Sequence, residues 1–283
     1  MLMTRVPQHA VYSHNKGAPL ARWQRWVGHL GYIAEGLLYI LLGFFALLAA
    51  TGQQQQPNGP KGALAKLGGS AFGDAVLALF AIGLAAFVIW QLLLAIVDPE
   101  HRANRSSPRR RLVRLGHLLN GVFHTVFVGE AVWGLFGLSH ADNEKATQVR
   151  LTARALAIPV GRYAVALIGV GIVVFGLWQF YRALTRDKNK RVDLSRTRLR
   201  FAINVLGVYG LAARGALFVL VGGYLINAAW RHDPRYSGGI AGALGGLKEL
   251  PYGEWLLGMA AAGLMCYGLY QVAKERYRRL PDS

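Results

Sequence analysis

Glu35, Glu130 and Arg214 are ionisable residues set inside long apolar runs. At bilayer depth a charge costs roughly 2.5–3.5 kcal/mol on insertion scales, so such a residue faces protein or water and finds a partner. At about 100° per residue, Tyr32, Glu35 and Tyr39 share one helical stripe. The equivalent positions of a recurring motif give a second stripe of His117, Asn120 and His124, and a third of Leu211, Arg214 and Phe218. If the three stripes lie at one depth, Glu35 pairs with Arg214, with Asn120 and the two histidines alongside. Two chemistries suit that cluster. One is a pathway for a proton, ion or small solute in which His117 or His124 titrates. The other is a clamp that fixes helix register, since a buried ion pair is weak evidence of stability.

Other chemistries fit less well. His117 and His124 share a face but are separated by about 10.5 Å of helix rise, too far for two axial ligands of one haem. His29 is the other histidine near a span on that side, and no cofactor or metal is expected. Cys266, the single cysteine, excludes a disulfide framework and a Cys-based metal site within one chain. Glu130 is turned well away from the stripe of His117, and its repeat equivalents are Phe45 and Tyr224. It therefore needs a partner of its own, either at an interface or headgroup depth or as a transport-linked carboxylate. No nucleophile elbow, P-loop, paired carboxylates on one helical face or His-Glu-x-x-His is present, so no catalytic residues are expected and the chain is read as a non-enzyme.

The elements that must position these residues follow from composition. The chain of 283 residues carries 32 Lys+Arg against 14 Asp+Glu, a net charge of +18, with 53% hydrophobic and 16% charged residues. Soluble domains are about 25% charged, so the charges here are confined and leave long bare stretches. Six of these can cross a bilayer, which takes about 20 helical residues: Trp26–Ala50, Ala75–Val97, Leu115–Leu138, Ala164–Leu184, Leu206–Ala229 and Trp255–Val272. The segment 1–25 before the first span is polar and no small-residue cleavage site follows that span, which predicts a retained helix. Basic residues concentrate in the N-terminal segment, the linkers Arg102 to Arg114 and Arg182 to Arg200, and the tail from Lys274 to Arg279. That bias predicts both termini in the cytoplasm. The linkers are read as contacts for anionic lipid headgroups, with a membrane-protein partner as the alternative; no nucleic acid is expected.

The spans are repeated. Gly31 to Tyr39, Gly116 to His124 and Gly210 to Phe218 fit one pattern, G-x-x-x-[E/N/R]-G-x-x-[Y/H/F]. The even-numbered spans fit G-x-x-x-[F/Y]-x-x-[W/Y]-Q, ending on Trp90 and Gln91, Trp178 and Gln179, and Tyr270 and Gln271. Those aromatic–glutamine pairs read as structural anchors near the interface, and the recurrent glycines as sites of close helix approach. Ala-Leu-rich loops between the two spans of each pair suggest short interfacial helices. The expected fold is all-α: six transmembrane helices as three parallel two-helix repeats with pseudo-threefold symmetry. The corresponding segments are 26–100, 115–187 and 201–280, joined by basic linkers 101–114 and 188–200.

Gly210, Ala212, Ala213, Arg214, Gly215 and Phe218 resemble the first-helix motif of domain of unknown function 1206, a bacterial membrane family with three copies of a two-helix region. Glu35 and Asn120 depart from it, standing where the family commonly has Arg. The resemblance implies this fold and a bacterial inner-membrane location, and it implies no activity. Function thus stands between a pathway through the polar cluster and a non-transporting scaffold or accessory subunit.

Overall fold

The computed structural model describes residues 22–97, 108–138, 144–185 and 199–276. These form α1 (Arg22–Ala50), α2 (Pro60–Ala65), α3 (Ala71–Ile96), α4 (Pro108–Leu135), α5 (Glu144–Leu156), α6 (Gly161–Leu184), α7 (Arg200–Arg231), α8 (Gly239–Lys248) and α9 (Gly253–Arg276), with a 3-10 turn at Pro234–Tyr236 before α8. Most of the basic linkers and the polar N-terminal segment lie outside the described residues.

Six helices are long and apolar enough to cross a membrane: α1, α3, α4, α6, α7 and α9. They correspond to the six expected spans, and the last, expected over Trp255–Val272, runs over Gly253–Glu275. Local chemistry sets their ends. Ser70 caps α3 by accepting the Gly73 N–H at 3.1 Å. At its other end, the Arg114 side chain of α4 donates to the carbonyls of Ala95 at 2.6 Å and Ile96 at 2.7 Å, satisfying groups the helix itself leaves open. The short helices α2, α5 and α8 fill the loops inside the three hairpins.

The hairpins α1/α3, α4/α6 and α7/α9 are joined edge to edge. The first helix of each packs on the second helix of another, giving the junctions α3/α4, α6/α7 and α9/α1. One design recurs at all three. A Cβ added at Gly36, Gly121 or Gly215 would meet the Cβ of Gln271, Gln91 or Gln179 at 3.3, 3.3 and 3.2 Å. Each junction also carries an aromatic pair at equivalent positions: Tyr39 with Tyr267 at 4.8 Å, Phe87 with His124 at 4.6 Å, and Phe175 with Phe218 at 5.1 Å. Small residues therefore bring the backbones close, and a ring pair fills the space beside them.

Inside the hairpins the design recurs twice. Gly31 lies against the Phe87 backbone and Gly83 against the Ala34 side chain, and Gly210 and Gly263 meet Tyr267 and Ala213 in the same way. In the second hairpin a Cβ at Gly116 or Gly171 would meet nothing within 4 Å among the described residues, and α4 and α6 are not packed along their length. The sequence supplies the cause. Position 119 is the repeat equivalent of Ala34 and Ala213, and it holds leucine, 60% exposed. Where Ala already touches glycine, three further carbons leave no room for closure. The second hairpin stands open, and α4 and α6 bury the smallest shares of the six spans.

Candidate functional site

The polar cluster is built on the junction where α9 meets α1, with α7 reaching in beside it. Glu35 Oε2 accepts from Gln271 Nε2–H at 2.7 Å, and its Oε1 accepts from the Tyr267 hydroxyl at 3.3 Å. Arg214 Nη2 lies 3.7 Å from that Oε1. The guanidinium donates its Nε–H to the Tyr39 hydroxyl and an Nη1–H to the Tyr267 hydroxyl, both at 2.9 Å. Tyr267 thereby joins cation to carboxylate, accepting from one and donating to the other. The rings of Tyr267, Tyr39, Phe218 and Phe175 stand 4.6, 4.9, 5.2 and 5.8 Å from the guanidinium carbon. A cation in an apolar interior is stabilised here by one carboxylate, two phenol oxygens and the faces of four rings. Glu35 is 2% exposed and Arg214 4%.

Of the seven residues expected to cluster, the structure joins Glu35, Tyr39 and Arg214 by direct bonds. His124 is buried at the α3/α4 junction, its ring 4.6 Å from that of Phe87. Its Nδ1 lies 2.9 Å from the Asn120 carbonyl, four residues back in the same helix. That contact makes Nδ1 the protonated nitrogen. Among the described residues Nε2 has no hydrogen-bond partner, and the ring lies against those of Phe87, Phe123 and Phe127. His117 stands elsewhere, its Nδ1 3.0 Å from Gln91 Oε1 across the α3/α4 junction. Tyr32 lies edge-on to Phe87, under the Lys274 ammonium. The Asn120 side chain is half-buried and makes no hydrogen bond among the described residues.

Tyr267, Gln271, Phe175 and Phe218 complete the site. A signal for Tyr267 was present in the repeat. Its equivalents are Phe87 and Phe175, so the hydroxyl at this position is unmatched. The three glutamines bind across or along the junctions: Gln271 to Glu35, Gln91 to His117, and Gln179 to Arg182 at 3.1 Å. Trp90 and Tyr270 are turned inward and buried, whereas Trp178 is exposed.

Glu130 finds its partner within the chain. Lys61 Nζ, from the loop of the first hairpin, lies 3.8 Å from its Oε2. Glu144 at the start of α5 joins them, accepting the Gly62 N–H at 3.1 Å. Burial pushes the Glu144 carboxyl above its ordinary range, with Lys61 and the Gly62 N–H opposing the shift. Nothing local in the sequence marks Glu144 for this contact, which joins segments 82 residues apart. Among the described residues no three His, Cys, Asp or Glu side chains group as a metal site.

Three two-helix repeats whose polar residues turn inward from long apolar helices define a multi-pass, all-helical membrane protein. The chain belongs to the family described as Domain of Unknown Function (DUF1206), which matches it three times, over residues 30–98, 115–186 and 209–278. It is 32% identical over 260 residues, 91% of this chain and 92% of the relative, to the uncharacterized protein YxxB of Bacillus subtilis (strain 168). No solved structure matches the chain.

Proposed function

We propose that the protein is a non-transporting scaffold or accessory subunit of the bacterial inner membrane, with its polar cluster serving as a clamp. Both termini lie in the cytoplasm, where the basic linkers meet anionic headgroups or a partner protein. The observation that supports this reading is closure of the cluster. Glu35 and Arg214 are almost fully buried, and both are paired through Tyr267. A pathway needs charges that exchange their partners with water or cargo, whereas a clamp needs them held.

The test is flux in proteoliposomes alongside thermal unfolding. The clamp reading expects Glu35→Gln to lower the unfolding temperature, with wild-type proton, sodium and potassium fluxes no greater than those of empty vesicles. One observation favours a proton pathway instead: the buried Nε2 of His124 has no partner among the described residues. A proton flux above background that His124→Phe abolishes without loss of stability replaces the clamp with that pathway.

A further inference from the structure

The open second hairpin leaves a slot where its neighbours have helix on helix. Its walls are Gly116, Leu119 and Phe123 on α4 and Gly171, Phe175 and Trp178 on α6, each set on one stripe by spacings of three, four or seven residues. Phe123, Phe175 and Trp178 are 45%, 38% and 45% exposed, while their equivalents in the other two hairpins are at most 6% exposed. We propose that this slot binds one anionic phospholipid of the leaflet on the linker face. Its acyl chains lie along the six wall residues, and its phosphate meets Arg182.

Two features favour a lipid over a protein helix. Close helix packing at this position uses alanine against glycine in both closed hairpins. Leu119 holds a rigid backbone off but leaves room for a flexible chain. The charge is also in the right place. Arg182 lies on the same stripe of α6, one turn beyond Trp178 and about 10.5 Å of rise beyond Phe175. One guanidinium N–H goes to Gln179, and its remaining donors suit a phosphate. α6 carries no acid along its length to oppose that charge. Trp178 and Tyr181 stack at 5.2 Å beside this mouth, where amphipathic rings meet headgroups.

This site is independent of whether the polar cluster conducts. Its test is native mass spectrometry of the full chain in detergent, titrated with dioleoyl phosphatidylglycerol or dioleoyl phosphatidylcholine. The expected result is one phosphatidylglycerol retained per chain in preference to phosphatidylcholine. Arg182→Gln should weaken phosphatidylglycerol about fivefold and leave phosphatidylcholine unchanged. Gly116→Leu/Gly171→Leu should abolish retention of both at unchanged unfolding temperature; if that variant does not fold, the Arg182→Gln comparison decides. Equal retention of the two lipids by the wild type, or an unchanged lipid preference in Arg182→Gln, overturns the proposal. So does a second copy or a copurifying protein that the filled slot releases while lipid stays bound.

Discussion

Arg214 of α7 donates its Nε–H to the hydroxyl of Tyr39 on α1 at 2.9 Å, across 175 residues of sequence. This bond ties the third repeat to the first, and Tyr267 of α9 lies within reach of both. The site is therefore a property of the assembled helices and of no single repeat.

Removing one partner of a buried pair strands the other. Glu35→Leu and Arg214→Leu should each cost about 3–5 kcal/mol, while the double variant should cost less than either alone. Arg214→Lys should also destabilise, because a point charge cannot serve both phenols and the carboxylate with a planar fork. Thermal unfolding in detergent measures all four.

Leu119 and Ala34 are the reciprocal test of what holds a hairpin open. Leu119→Ala should draw α4 and α6 together, read as a shorter distance between spin labels on the two helices. Ala34→Leu should force α1 from α3 and cost about 1–3 kcal/mol or more, since it overpacks a filled contact.

Glycines that look alike in the repeat should respond differently. A Cβ at Gly31 would stand 2.5 Å from the Phe87 Cα, whereas its equivalent Gly116 is open. Gly31→Ala should destabilise. Gly116→Ala should be neutral or stabilise by about 0.5–1 kcal/mol, through helix propensity alone. Unfolding temperatures of the two variants provide the comparison.

Glu144 should make stability depend on pH. Its carboxyl is raised in the fold by burial, so the folded chain binds the proton more tightly than the unfolded chain does. The favourable contribution is complete below the ordinary value of 4.5 and is lost as pH rises through the raised value. Unfolding measured across that rise should show a decline that Glu144→Gln, which keeps an acceptor for the Gly62 N–H, flattens.

The helices and their pairing were legible because hydropathy and two recurring motifs act locally along the chain. Glu35 and Arg214 were legible as partners because charges in an apolar run have few ways to be satisfied. Their companions were less so. Register placed Asn120 and His117 on the shared stripe, yet α4 packs on α3, where His117 meets Gln91. The α9/α1 junction supplied Tyr267 and Gln271 in their place. Leu119 carried its information openly, but its meaning depends on how closely Ala34 and Ala213 touch glycine, a distance that only packing reveals.

The junction of α9 with α1 makes the first and last membrane helices neighbours. Covalent order is then separable from architecture. A circular permutant that joins the present ends through a flexible tether and begins instead at α7 would keep all three junctions and the Arg214 cage. Such a permutant would fold to the same ring of contacts, because noncovalent junctions hold α6 to α7 and α9 to α1.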